Sequence, residues 1–318
     1  MGRTRRTVLT WCTAACLCWL GACTAIGVIA ADDALHPQRL PLTAADEARA
    51  EIIAAEGEAS LTNVQVTAND GVILRAWSLR PIHENGDAVI LLHGQGDNRS
   101  GMLGNADLLL RHGFTVLLPD ARAHGESGGS IATYGVEEAQ DVRHWYQWLD
   151  QTMQPHCIDG LGDSMGAAEL LRALAVEPGF CAVIAESTFA AFEEAAYDRL
   201  GQEFGTGPWL GRTVLRPAMD AGLIYVDLRY GVNLEEASPL KAVKESDVPV
   251  LLIHGLADTN LPARHSEMIR AAAPRVVLWE PATAEHCGAF VSDPIEYEAR
   301  VVGWFEKNNR QAHGTVPR

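Results

Sequence analysis

The chain predicts an α/β fold, a mostly parallel sheet covered by helices on both faces. Three observations carry that reading. Strand-length apolar runs alternate with helix-length runs between residues 88 and 185, the pattern of successive strand–helix–strand units. A Gly-x-Ser-x-Gly turn, Gly162-Asp163-Ser164-Met165-Gly166, stands between an apolar run (157–161) and a helix-forming run (167–174). Two later apolar runs, 248–253 and 276–279, each lead into a loop rich in ionisable residues.

The first element is a leader. Arg3, Arg5 and Arg6 precede an uncharged, largely apolar run at residues 8–30, and Asp32 and Asp33 follow it. Twenty-three such residues in a helix are long enough to cross a bilayer. Arginines before the run and acids after it put its start in the cytoplasm and the rest of the chain outside. Three fates remain open. An uncleaved signal anchor is favoured, because the run exceeds a signal-peptide core and lacks a clean Ala-x-Ala site. Leu20-Gly21-Ala22-Cys23 resembles a lipobox, which would lipidate Cys23. A cleaved export signal is the third, since Thr4-Arg5-Arg6-Thr7 faintly resembles a twin-arginine start. Residues 1–31 are therefore read as anchor, and 32–59 as a proline-containing spacer followed by an outer helix at 44–58.

Residues 60–310 are read as one α/β domain, with a tail at 311–318. Runs at 61–66 and 72–79 flank Asn69-Asp70-Gly71, a hairpin signal that starts the sheet antiparallel. Then come a strand (88–92), helix (102–112), strand (114–118), helix (136–149), strand (157–161), helix, and strand (181–185). From about 188 to 247 strand character is absent, and aromatic residues such as Phe189, Phe192, Tyr197, Trp209, Tyr225 and Tyr230 are scattered. This interval is expected to form a small helical cap. Its aromatics either line a substrate pocket or bury the cap, and the two readings carry equal weight.

The chemistry is expected at the carboxyl edge of the sheet. In a strand–turn–helix context the Gly-x-Ser-x-Gly turn presents Ser164 as a nucleophile on a strained backbone, with Gly162 and Gly166 giving it room. Such a serine needs a base and an orienting carboxylate further along the chain. Asp258 follows the 248–253 strand, and His286 follows the 276–279 strand. His286 is preferred to His265, which falls in a helix, and Asp258 to Glu285, which neighbours the histidine it would have to orient. The His93-Gly94-Gln95-Gly96 turn lets backbone amides approach a carbonyl, so the N–H groups of Gln95 and Met165 are expected to form the oxyanion hole. His93 is expected to brace its loop. Asp120 and His124 precede the serine, contrary to the expected order, and are read as bracing residues.

These segments together resemble the α/β-hydrolase superfamily, and more narrowly single-domain bacterial hydrolases of the serine-aminopeptidase-like and acylaminoacyl-peptidase-like branches. The resemblance rests on His93-Gly94-Gln95-Gly96 with Asn98-Arg99, Asp120-Ala121-Arg122-Ala123-His124-Gly125-Glu126-Ser127-Gly128-Gly129, the serine turn, Ser238-Pro239-Leu240, His254-Gly255-Leu256-Ala257-Asp258, and His286. It departs at Asp163, where relatives often carry His or Glu; that position is read as neutral. The resemblance implies an eight-stranded sheet and acyl transfer by a Ser164–Asp258–His286 triad without a cofactor. It leaves the substrate open between a carboxylic ester and a peptide or amide. A non-catalytic anchored binding protein is the contrasting class, disfavoured by the intact Ser, Asp and His set.

Composition agrees with one sizeable core, since 47% of 318 residues are hydrophobic. The net charge of −16 would repel nucleic acid but points to no substrate; the resemblance implies a small-molecule ester or peptide-like substrate, and the N-terminal segment implies a membrane. Histidine and cysteine spacing gives no metal site and no phosphate-cradling loop, so no cofactor is expected. Four of seven cysteines lie in the leader. Cys157 and Cys181 begin strands expected to be neighbours, and a disulfide and a pair of buried thiols are equally open. Cys287 is expected to be an oxidation-sensitive thiol beside the site.

Overall fold

The computed structural model describes residues 2–315; Met1 and residues 316–318, the end of the expected tail, lie outside the described residues. Two compact units emerge. One comprises Met1–Leu35 with Glu193–Glu236, the other His36–Phe192 with Ala237–Arg318.

The larger unit carries the sheet. A helix α1 (Gly2–Leu35) belongs to the smaller unit, so the larger begins with α2 (Ala44–Glu56). Thr43 caps α2 by accepting from the Asp46 N–H, while the Asp46 carboxylate accepts from the Thr43 N–H, the reciprocal pairing that fixes a helix start. Strands β1 (Ala59–Thr67), β2 (Ile73–Pro81) and β3 (Ala88–Leu92) follow, then α3 (Leu103–Arg111), β4 (Thr115–Pro119), α4 (Glu138–Thr152) and β5 (Ile158–Asp163). After α5 (Met165–Ala173) and β6 (Val183–Glu186), the chain leaves for α6 (Phe192–Glu203), α7 (Trp209–Arg212) and α8 (Arg216–Tyr230). It returns through α9 (Pro239–Glu245), β7 (Val250–Ile253), α10 (Arg264–Ala272), β8 (Val277–Trp279), α11 (Ala289–Ser292) and α12 (Pro294–Thr315).

The eight strands lie in the order β1-β2-β4-β3-β5-β6-β7-β8. From β3 to β8 every pairing is parallel, and β2 runs antiparallel to both of its neighbours. The expected hairpin, parallel sheet and eight strands are therefore present. Alternation along β3 shows how the layers form. Ala88, Ile90 and Leu92 pack with α4 and α5, whereas Val89 and Leu91 pack with α3 and α12. Successive side chains point to opposite faces, so a strand with both faces covered must be apolar throughout.

Element ends shift where polar groups intervene. The helix expected from residue 102 is preceded by a tight turn at Arg99–Met102, because the Asn98 side chain accepts the Ser100 N–H and winds the chain three residues early. The helix expected from residue 136 starts at Glu138, whose carboxylate first collects the N–H groups of Thr133 and Gly135. Cys157 and Cys181 are bridged, with their Cα atoms 5.7 Å apart. The bridge staples β5 to β6 at the sheet edge away from Ser164.

In the smaller unit α1 is long and apolar enough to cross a membrane over Leu9–Leu35. The helix α8 lies along it, a pairing with no local signature in the sequence.

Candidate active site

The parallel register sets the site. Asp163 of β5 pairs with Glu186 of β6, Glu186 with Ile253 of β7, and Ile253 with Trp279 of β8. The residues that follow therefore emerge side by side at the carboxyl edge. Backbone hydrogen bonds extend this row by one step, from Ser164 N to Glu186 O (2.9 Å), Ser187 N to Ile253 O (2.9 Å) and His254 N to Trp279 O (3.0 Å).

Ser164 occupies the turn between β5 and α5 with φ 53° and ψ −110°. A non-glycine residue held there costs about 1–3 kcal/mol, tolerated only where the surroundings fix it. The neighbours do so by closeness. A Cβ on Gly162 would fall 2.6 Å from the Gly166 backbone, and one on Gly166 would fall 2.5 Å from the carbonyl oxygens of Leu92 and His93. Both are far inside real contact distance, so both positions require glycine.

Ser164, His286 and Asp258 come together in hydrogen-bond reach. The His286 Nδ1 is 2.7 Å from Asp258 Oδ2, and its Nε2 is 2.9 Å from Ser164 Oγ. Asp258 is fully shielded, whereas the imidazole keeps 23% of its surface exposed. Burial disfavours the Asp258 carboxylate, but hydrogen bonds from His254, His286 and the Leu261 N–H outweigh it and hold the carboxyl well below its usual range. Asp258 is thus an anion and an acceptor. Nδ1 must then carry the imidazole proton, which leaves Nε2 to accept from the serine hydroxyl. Of the two rejected alternatives, His265 lies in α10, where its Nδ1 accepts from the Ala190 N–H. Glu285 lies in the turn before His286, its carbonyl accepting from the Gly288 N–H.

The two expected oxyanion donors flank the serine. Met165 is the first residue of α5, so its N–H has no acceptor within the helix. Gln95 follows Gly94, where an added Cβ would lie 3.5 Å from the Ser164 Cβ. This loop is fixed from behind. His93 is buried, with Nδ1 2.8 Å from Gly94 O and Nε2 accepting from the Ala121 N–H. His124 Nε2 accepts the Gly96 N–H at 3.1 Å. Burial, helped by the neighbouring His93, lowers the His124 pKa to about 4, so it accepts as a neutral ring. Asp120 takes both the Arg99 guanidinium (2.6 Å) and the Arg99 N–H (2.8 Å). Neither Asp120 nor His124 touches Ser164 through these bonds; they tie the 120–129 loop to the 94–99 loop.

Several residues at the site were missed by sequence reasoning. Glu186 Oε1 accepts the Ala289 N–H at 2.9 Å, and Ser187 Oγ accepts the Cys287 N–H at 3.1 Å. Both hold the histidine loop against the end of β6. Ser187 and Cys287 also have positive φ, 51° and 50°, a clustering of strain typical of functional loops. Beside them lies Asp163, the departure from the family pattern, at the end of β5. Its Oδ1 is sealed from solvent and has no hydrogen-bond partner among the described residues. Burial first, then Glu186 and Asp97, push its carboxyl well above the usual range, and burial lifts Glu186 to about 7. Both shifts favour the protonated form of these carboxyls beside the Ser164 turn. Burial and these same carboxylates also raise the Cys287 thiol well above its ordinary value. That disfavours the thiolate that oxidation requires, which runs against the expected oxidation sensitivity of Cys287. Tyr134 completes the site, its hydroxyl accepting from Gln95 Nε2 at 2.9 Å while its ring packs on Phe189 and Phe192. Its signal was only the Tyr-Gly pair at residues 134–135, which did not distinguish it from an ordinary turn.

Comparison with known proteins agrees with this architecture. The sequence is 28% identical to YqkD of Bacillus subtilis over 244 residues, covering 75% of this chain and 77% of the relative. It is equally identical to YfhR of Escherichia coli K12, with 73% and 75% covered. Among solved structures, the esterase Pf2001 of Pyrococcus furiosus superimposes with a TM-score of 0.67 at 23% identity, over 86% of this chain and 99% of that one. The acylaminoacyl peptidase of Pyrococcus horikoshii gives 0.60 at 19% identity, over 79% and 42%. The sequence model described as the alpha/beta hydrolase family matches residues 89–300, from β3 into α12. With two thirds of its length under that match and the fold to go with it, the chain belongs to the alpha/beta hydrolase family.

Proposed function

We propose that the protein is a serine hydrolase that cleaves carboxylic esters through an acyl-enzyme. One observation carries the reading: the continuous Asp258–His286–Ser164 hydrogen-bond chain, ending on a serine strained into a left-handed turn. Ser164 Oγ attacks the carbonyl carbon as His286 Nε2 takes its proton. The Gln95 and Met165 N–H groups stabilise the oxyanion. The imidazolium, stabilised by Asp258, then donates that proton to the departing alkoxide. Water enters, gives a proton to Nε2 and attacks the acyl carbon; the imidazolium then returns that proton to Ser164 Oγ as its bond to the acyl carbon breaks, and the acid leaves.

An ester is favoured over an amide on chemical grounds. An alkoxide leaves readily, whereas an amine departs only once its nitrogen is protonated, so an ester is the less demanding substrate for this site. The likeness to the Pyrococcus furiosus esterase spans nearly that whole chain, which is consistent with a free-standing hydrolase unit.

We further read α1 as an uncleaved membrane span with the hydrolase unit on the outer side. Arg3, Arg5 and Arg6 before the apolar run and Asp32 and Asp33 after it support that orientation. The Cys157–Cys181 bridge suits an oxidising compartment.

The test is a chain-length series of nitrophenyl esters beside matched aminoacyl anilides, assayed on the detergent-solubilised full chain and its Ser164→Ala variant. Ester turnover lost in the variant, with anilides intact, is the expected result. Anilide cleavage would move the assignment to a peptidase or amidase, and undiminished turnover in the variant would overturn the mechanism.

A further inference from the structure

The leader helix has a partner inside the chain. Cys23, Gly27, Ala31 and Leu35 recur every four residues along one face of α1, and Cys23 and Leu35 are buried. Opposite them, α8 presents Ala218 and Gly222 at the same spacing. The backbones approach without side chains between them. A Cβ on Gly27 would fall 1.9 Å from Ala218 O, and one on Gly222 would fall 2.8 Å from Gly27 O and 3.2 Å from the Ala31 Cβ. Small residues at four-residue spacing on both helices are how helices associate where water supplies no hydrophobic drive. A polar clasp closes the outer end, where Tyr225 and Tyr230 donate to Asp32 Oδ1 at 2.8 Å and 2.6 Å.

Depth along α1 fixes where this pairing lies. The apolar run at 8–30 measures about 34 Å as a helix, close to the ~30 Å of a bilayer core. Gly27 then sits about one turn inside the outer boundary, and Asp32 just beyond it. The insertion at this level has the composition of a membrane interface. Trp209, Ile224 and Leu228 are exposed, Leu228 by 80%. They are interspersed with Arg216, Asp220, Asp227 and Arg229, and aromatic and amphipathic residues concentrate at that boundary.

We propose that the Glu193–Glu236 insertion is a membrane-interface module, clasped to α1 through α8 and resting its exposed apolar side chains in the outer headgroup layer. The lipid bilayer is the occupant of that face. Removal of α1 would strip α8 of its partner, so α1 is a permanent part of the folded protein and is not discarded after export. This inference rests on reading α1 as a span, and it is independent of the chemistry at Ser164.

The experiment uses the full chain with its five free cysteines replaced, a single Leu228→Cys labelled with an environment-sensitive NBD dye, and vesicles of phosphatidylethanolamine and phosphatidylglycerol. Alkaline carbonate extraction of the vesicles is run in parallel. The expected result is resistance to extraction, blue-shifted dye emission, and strong quenching by lipids carrying a spin label near the headgroup. Gly27→Leu should return the emission toward that of dye in water while leaving extraction resistance unchanged. Tyr225→Phe with Tyr230→Phe, which adds no bulk, should move it in the same direction. Extraction by carbonate would overturn the span and the inference together. Resistance with water-like emission would overturn the inference alone, as would a shielded dye that lipid spin labels fail to quench, since protein would then cover the face.

Discussion

Breaking the Cys157–Cys181 bridge should weaken the hydrolase unit by an amount the structure sets. The two cysteines are 24 positions apart and enclose β5, the serine turn and α5. Closing a loop of that length removes denatured-chain entropy equivalent to about 3.5 kcal/mol at 25 °C. The opposing effects are small, since the bridge sits at the amino ends of two strands already paired by the sheet. For a unit of this size each kilocalorie moves the melting temperature about 2–4 °C, so the whole effect is about 10 °C. The assay is thermal unfolding of the detergent-solubilised chain with and without dithiothreitol, beside Cys157→Ala/Cys181→Ala. Reduction should lower the midpoint of the wild type to near that of the double variant and leave the variant unmoved. Equal midpoints for all samples would refute the entropic argument. A wild type whose two thiols titrate freely when isolated from its native envelope would refute the bridge itself.

Other substitutions follow from the same geometry. Asp258→Asn should lower kcat by about 10⁴-fold, because an amide donating to Nδ1 forces the proton onto Nε2, where it blocks acceptance from Ser164; steady-state ester kinetics reads this, and a loss below tenfold would contradict it. Gly166→Ala should abolish soluble expression or activity, since its methyl group would strike the Leu92 and His93 carbonyls; an active, normally folded variant would exclude the packing described. Glu186 holds its proton more tightly folded than unfolded, from an ordinary 4.5 up to about 7. Stability should therefore fall as pH rises through that window, by about 3 kcal/mol at 1.36 kcal/mol per unit. Denaturation of Glu186→Gln should show a flatter profile between pH 5 and 8, and parallel profiles would contradict the raised Glu186 carboxyl. Asp258 works in the other direction: its stabilisation should be present at neutral pH and be lost as pH falls below about 4.

The sequence made the framework legible because the sheet is written in local signals. Apolar runs mark buried parallel strands, the Asp70-Gly71 pair marks the hairpin, and the chain order of Ser164, Asp258 and His286 follows from which strand each loop succeeds. What stayed hidden depends on non-local partners. Glu186 reads as the last residue of a strand, and only the β5–β6 register places it beside Asp163 and under the histidine loop. His254 was visible as part of a motif, but its Nε2, 2.8 Å from Leu261 O and 3.5 Å from Asp258, depends on a loop folding back on its own strand. Gly27 and Gly222 carry no local turn or cap signal; their meaning is a close approach between helices nearly two hundred residues apart.

The central claim is that Ser164 is the nucleophile, and covalent capture tests it most directly. The full chain would be treated with a fluorophosphonate, digested, and its peptides mapped by mass. One stoichiometric adduct on Ser164 is expected, lost in His286→Ala, whose serine has no base. An active enzyme that stays unlabelled, or an adduct on any other residue, would contradict it.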